Sequence, residues 1–187
     1  MKATALIMVF ALFGVLFIPQ LVVADIYEVN ILSGQGSEYR ALEKGQYKKA
    51  IERLEHRIAT EKSNLDIKLT NLCTAYVVTG MYDKAIATCD RAIDTNGEFV
   101  NVAYNSRGVL NAKLGDYVTA LADFNQAQAA SQKHHGAVRQ FCAKCPGNRR
   151  FYEDGEEYDQ SVSIAARNIF AADQMWANVQ SKSSESE

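Results

Sequence analysis

The sequence predicts an all-α protein whose central part is an array of repeated helix pairs. The first observation is an internal repeat with a step of thirty-five residues. Three residue types keep this step: Gly45, Gly80 and Gly115; Tyr47, Tyr82 and Tyr117; Ala50, Ala85 and Ala120. The second observation is that the whole chain holds 2 prolines, Pro19 and Pro146. Because Ala, Lys, Glu, Gln and Leu fill the segments between the glycines, little in the sequence opposes helix formation.

Length and charge narrow the class of protein. A chain of 187 residues with 48% hydrophobic side chains is long enough for one domain with a core. It has 20 basic and 22 acidic residues, and removing Lys2 with an N-terminal signal would leave 19 against 22, a formal charge of -3. Nucleic acids and anionic membranes attract clustered Lys and Arg. We therefore expect no nucleic-acid partner.

The N-terminus has the features of a secretory signal peptide over residues 1–24. Lys2 is followed by an apolar run from Ala5 to Ile18, and the stretch ends in the small residues of Val22-Val23-Ala24. Cleavage is expected before Asp25, which leaves residues 25–37 as an N-terminal extension and predicts no membrane insertion of the mature chain. The alternative is an uncleaved anchor, since the run approaches the roughly 20 residues that span a bilayer. We expect a periplasmic or extracellular protein.

Helix pairs are predicted over residues 38–132, as a partial pair at 38–62 and full pairs at 66–97 and 101–131. In the first full pair, apolar residues follow the i, i+3, i+4, i+7 spacing of one helix face at Leu69, Leu72, Cys73 and Tyr76. Ser63 and Asp66 form a predicted helix start, and Asn96-Gly97 a predicted helix stop. The same pattern returns one period later around the turn at Gly115.

These stretches resemble the tetratricopeptide repeat family. The resemblance rests on the two full pairs, LTNLCTAYVVTGMYDKAIATCDRAI and YNSRGVLNAKLGDYVTALADFNQA, and on the partial pair, GQYKKAIERLEHRI. The resemblance implies a short right-handed α-solenoid in which small residues allow close helix packing. Three departures stand out. Arg107 occupies a position that is usually apolar in the family, and Cys89 replaces the usual aromatic residue. The first repeat, moreover, has no recognisable first-helix motif.

The C-terminal third does not continue the repeat. Residues 133–155 mix Gly, Pro, charge and two cysteines, which predicts a loop with one turn of helix around Ala137 to Cys142. Residues 156–180 form a predicted amphipathic helix that caps the apolar end of the array, with a dimer contact as the alternative. The polar residues 181–187 are predicted to be a disordered tail.

Four cysteines in an exported chain favour disulfides. Cys142 and Cys145 form a CxxC motif, for which a local disulfide is the first interpretation. Zinc binding with His134 or His135 is the second, although a second ligand pair is missing. The family's helix packing implies that Cys73 and Cys89 face each other, either as a disulfide or as two buried thiols.

No motif of a hydrolase, nucleotide-binding or metalloprotease site occurs, so we predict a protein that is not an enzyme and has no cofactor and no metal. By resemblance, the concave face binds a protein or peptide through Thr70, Asn71, Thr74, Val78, Asn105, Val109 and Lys113. Asparagine amides on this face can hold an extended backbone because each offers a donor and an acceptor. The predicted function is a binding scaffold or adaptor of the cell envelope. The alternatives are a thiol redox protein using Cys142 and Cys145, and a self-associating structural protein such as a homodimer.

Overall fold

The computed structural model of the protein describes residues 27–32, 34, 36–142 and 150–184, with side chains placed up to residue 133 and over residues 164–183. Within these residues the chain forms seven helices and no strand. The helices are α1 (Ser37–Glu43), α2 (Tyr47–Thr60), α3 (Leu65–Val78), α4 (Tyr82–Asp94), α5 (Val100–Lys113), α6 (Tyr117–Cys142) and α7 (Arg150–Ser184). The all-α repeat architecture predicted from the sequence is therefore confirmed. The predicted signal peptide at 1–24 lies outside the described residues.

The repeated glycines form the turns between paired helices. Gly45, Gly80 and Gly115 have φ values of 67°, 73° and 84°, a region in which only glycine is unstrained. Nothing lies within 4 Å of where a side chain would begin at any of the three, so backbone conformation and not space requires glycine. After α5, the amide of Gly115 donates to the carbonyl of Ala112 at 3.1 Å and that of Asp116 to Asn111 at 2.9 Å, which is the Schellman pattern.

Small residues allow the two helices of each pair to approach closely. Ala50, Ala85 and Ala120, each 0% exposed, belong to one core cluster. A second pair of facing positions is filled differently in the second and third repeats. Cys73 and Cys89 form a disulfide between α3 and α4. Thirty-five residues later stand Gly108 and Phe124, and a side chain added at Gly108 would begin 2.5 Å from the Phe124 ring.

Arg107, which occupies a usually apolar position, is held by carboxylates on both neighbouring helices. Its guanidinium makes two bonds to Asp123 on α6, at 3.0 and 2.7 Å, and one to Asp90 on α4 at 2.7 Å. These bonds raise the pKa of Arg107, and the bond to Asp123 contributes most. Three helices are thereby joined through one side chain.

The helix ends differ from the predicted boundaries in several places. A short first helix, α1, precedes α2 although the sequence shows no motif for it. Helix α3 begins after Asn64, which has φ 47° and makes no side-chain cap, so the predicted Ser63 and Asp66 start is wrong. The predicted turn of helix around Ala137 to Cys142 is the end of α6, which is continuous through residues 133–142. Residues 150–155 are helical and not loop, and α7 continues to Ser184 into the predicted tail. Because α6 contains no proline between Tyr117 and Cys142, the helix continues past the point where the repeat pattern stops.

Helix α7 packs against α6 and α5 at the end of the array. Its buried residues at this contact are Ile164, Ala165, Asn168 and Ala172. The predicted capping helix thus covers the last helix pair and, through Asn168, also reaches the concave face. Among the described residues, no helix has the length and apolar character needed to cross a membrane.

Candidate functional site: a groove that holds an extended segment

Three asparagines lie buried on one face of the array, formed by α3, α5 and α7. Asn71, Asn105 and Asn168 are 0%, 4% and 0% exposed. Buried amides need hydrogen-bond partners, since an unsatisfied one costs about 1–3 kcal/mol. Their partners come from residues 27–32, which are neither helical nor in a sheet and lie across this face. We call this face the groove.

Asn71 holds the segment at Leu32. Its Nδ2 donates to the Leu32 carbonyl at 2.9 Å, and the Leu32 amide donates to Oδ1 at 2.9 Å. One side chain therefore satisfies both main-chain groups of one residue. This arrangement recognises an extended backbone and is independent of the side chain that it carries.

Asn168 holds the segment at Glu28 in the same way. The Glu28 amide donates to Oδ1 of Asn168 at 2.9 Å, and Nδ2 of Asn168 donates to the Glu28 carbonyl at 2.8 Å. Asn105 donates a further bond to this carbonyl at 2.9 Å and accepts one from Asn168 at 2.8 Å. The three asparagines thus form two clamps, four residues apart along the segment.

Side chains of the segment add specific contacts. The Tyr27 ring stacks on Phe124 with centroids 5.9 Å apart, and Leu32 is 3% exposed. Burial raises the pKa of the Tyr27 hydroxyl to about 12, and nearby Tyr117 adds to the rise. Within the described part of the chain, this buried hydroxyl has no hydrogen-bond partner.

Charge complementarity fixes Glu28 at the edge of the groove. Nε and a terminal nitrogen of Arg167 donate to the two carboxylate oxygens of Glu28, at 2.9 and 2.7 Å. The hydrogen bond from Arg167 lowers the pKa of Glu28, and the attraction between the two charges acts in the same direction. Both side chains remain about half exposed. The pair therefore orients the segment more than it stabilises the fold.

The seven residues predicted for the concave face divide into three groups. Asn71 and Asn105 contact the segment directly. Thr70, Thr74 and Val109 are buried, and the Thr74 hydroxyl lies 2.7 Å from that of Ser106, so this part of α3 packs on α5. Val78 is 38% exposed and Lys113 is partly exposed, both at the ends of their helices. Their role in binding a partner stays a prediction.

Sequence reasoning did not find Arg167, Asn168, Phe124 or residues 27–32 as parts of this site. Asn168 could have been identified from the sequence, because it lies between Ala165 and Ala172 on the apolar face of the predicted capping helix. A polar amide on such a face requires a partner. The segment itself carried no such signal, since the repeat pattern begins after it.

The cysteine predictions have separate outcomes. The Cys73 and Cys89 pair is a disulfide, one of the two alternatives that the sequence left open. The predicted pairing of Cys142 with Cys145, and the zinc alternative, lie outside the residues whose side chains are described. Among the described side chains, no group of three or more His, Cys, Asp or Glu is placed to hold a metal ion.

The family model described as tetratricopeptide repeat matches residues 41–103, which span the last part of α1, the next three helices and the start of α5. Residues 41–103 therefore form a tetratricopeptide repeat region. No curated protein and no solved structure matches it significantly. Tetratricopeptide repeats mediate contacts between proteins, so the groove on α3, α5 and α7 is the first place to look for a partner.

Proposed function

We propose that this protein is a non-catalytic binding module of the cell envelope that holds an extended segment of a partner protein in the groove. The observation that carries the proposal is the pair of asparagine clamps, each of which satisfies the amide and the carbonyl of one extended residue. Main-chain recognition of this kind is how binding domains hold extended peptides. The side chains that contact the segment are amides, apolar groups and, at the edge of the groove, Arg167, and each of them holds the segment in place.

The predicted signal peptide supports export, and so does the disulfide between Cys73 and Cys89, because such bonds persist in oxidising compartments. Mass spectrometry of the protein recovered from its native host tests this part. We expect a mature N-terminus at Asp25. An intact Met1 in the mature protein would contradict export by cleavage.

Site-specific photocrosslinking in intact cells tests partner binding. A photoreactive amino acid is placed at Val78 or at Lys113, the two residues predicted for the concave face whose side chains remain accessible. Ile86 is the matched control, since it is 43% exposed on α4, the outer helix of its pair. We expect the two groove positions to capture a common partner that the control position does not capture. The same adducts from all three positions would count against the groove.

A further inference from the structure

Residues 27–32 occupy the groove in the manner of a separate peptide. The hydrogen bonds that hold Glu28 and Leu32 come from side-chain amides and not from a helix or a sheet. The segment leads into α1 through Gly34 and Gly36, so its connection to the array contains two glycines, the residue type that restricts the backbone least. Every group that the groove contacts could therefore be presented by another chain.

Three side chains of the segment make contacts by which the groove can distinguish one peptide sequence from another. Tyr27 places an aromatic ring on Phe124, Glu28 places a carboxylate on Arg167, and Leu32 is buried. The clamps fix the spacing between the acidic residue and the leucine. In an extended chain, four residues span at most about 13–14 Å, and a shift by one residue turns each side chain to the other face.

We propose that the partner segment is an extended peptide with the pattern aromatic residue, Glu, three residues, Leu, and that residues 27–32 occupy the groove until this peptide displaces them. This inference rests on the proposed function and adds the chemistry of the ligand. A tethered occupant competes at an effective concentration of the order of millimolar. The groove is accordingly closed to weak ligands and opens to a segment that fits these three positions.

Fluorescence anisotropy with labelled synthetic peptides tests the pattern. The parent probe has the sequence of residues 25–34, DIYEVNILSG. A second peptide replaces the glutamate by lysine, and a third has one alanine inserted between the glutamate and the leucine. The protein is the full mature chain in two forms, wild type and Glu28→Lys, because a lysine facing Arg167 weakens the chain's own occupant without changing the groove.

We expect the parent peptide to bind Glu28→Lys more tightly than wild type by about fivefold, the size of effect for an exposed ion pair made repulsive. On Glu28→Lys, the lysine peptide should bind about fivefold more weakly than the parent. The insertion peptide should lose at least about tenfold, because it cannot satisfy both clamps. In Arg167→Glu, whose altered residue is about half exposed, the preference between glutamate and lysine peptides should reverse.

A fourth peptide tests the aromatic position. The Tyr27 hydroxyl is buried without a partner among the described residues, so phenylalanine at this position should bind more tightly than tyrosine, by about fivefold. Weaker binding of the phenylalanine peptide would show that the ring is not held as Tyr27 is.

The outcomes separate this inference from the proposed function. Equal binding of the parent, lysine and insertion peptides would overturn the pattern and leave a groove that binds peptides without selection. If hydrogen exchange shows that the segment is released in Glu28→Lys and no peptide binds this variant, both the sequence pattern and the proposed peptide-binding function would be overturned. Sedimentation velocity adds a further outcome: a wild-type dimer that becomes monomeric in Glu28→Lys would make a second copy of this chain the occupant and overturn the separate partner.

Discussion

The side chain of Asn168 and the main chain of Glu28 exchange two hydrogen bonds across 140 positions of sequence, the amide of Glu28 donating at 2.9 Å and Nδ2 of Asn168 at 2.8 Å. Asn71 makes the same exchange with Leu32, 39 positions away. Both asparagines are fully buried, and the segment supplies hydrogen-bond partners to both side chains. The groove and its occupant therefore form one hydrogen-bonded unit, whose parts can be tested separately.

Substitution of Asn168 by alanine should release the segment at Glu28. The change removes both bonds to the Glu28 main chain and leaves the Oδ1 of Asn105 without its donor. We expect docking to weaken by about 2 kcal/mol, which lowers the hydrogen-exchange protection of the Glu28 amide by roughly thirtyfold. Asn178→Ala, an exposed amide on the same helix, is the control and should leave this protection unchanged. Unaltered protection in Asn168→Ala would mean that this clamp does not hold the segment.

The repeats could be predicted from the sequence because their determinants are local. Gly80 and Gly115 each end one helix through their own backbone conformation, and Ala85 or Ala120 recurs at a fixed distance from them. The ability of Asn71 and Asn105 to hold an extended backbone follows from amide chemistry, and the structure shows both in contact with such a backbone. The identity of that backbone depends on contacts between residues far apart in sequence, which no periodic pattern encodes.

Two further features lay beyond sequence patterns for other reasons. Thr70 and Thr74 are polar residues on the helix predicted to line the groove, yet both are buried, since the Thr74 hydroxyl bonds to the carbonyl of Thr70 and approaches Ser106. Hydroxyl groups satisfied in this way tolerate burial between helices. The length of α6 was underestimated because the repeat period, and not helix propensity, set the predicted end.

Acid should loosen the segment through Glu28. The pKa of Glu28 is lowered in the docked state by the Arg167 bond, so this contribution to docking is present above the ordinary glutamate pKa of 4.5 and is lost as pH falls through the lowered value. We expect protection factors of the Glu28 and Leu32 amides to fall below pH 4.5. In Glu28→Gln, the part of this fall that comes from Glu28 should be absent. Equal pH profiles for the two proteins would assign the loosening to other carboxylates.

Removal of the Arg107 guanidinium should destabilise the array strongly. Arg107→Leu leaves the Asp123 carboxylate, which is 4% exposed, without its cation. Breaking a buried pair in this way costs about 3–5 kcal/mol, measured as the free energy of unfolding in urea. Lys84→Ala is the control, because its pair with Glu55 is exposed on both sides and should contribute less than about 1 kcal/mol.

The double substitution Arg107→Leu with Asp123→Leu distinguishes the cost of an isolated charge from the value of the ion pair. Leucine at position 107 restores the apolar residue that is usual in the family, and leucine at 123 removes the buried charge. Replacing a buried pair by apolar groups is often close to neutral, so the double variant should recover most of the stability lost in Arg107→Leu. A double variant as unstable as the single one would show that the pair itself holds α5 to α6.

Reduction of the disulfide between Cys73 and Cys89 should lower the free energy of unfolding by about 3 kcal/mol, the effect expected for a closed loop of this size. Cys73→Ala with Cys89→Ala is the reference: it should be destabilised by a similar amount, and reductant should no longer affect its unfolding through this pair.

The same two positions in the next repeat are occupied by Gly108 and Phe124, where the aromatic ring fills the space above the glycine. The substitutions Cys73→Gly and Cys89→Phe would transfer that packing into the second repeat. Because the repeats share one geometry, this variant should be more stable than the alanine pair in reductant. A less stable protein would mean that the two helix pairs differ in spacing and that the disulfide compensates for a gap that the ring cannot fill.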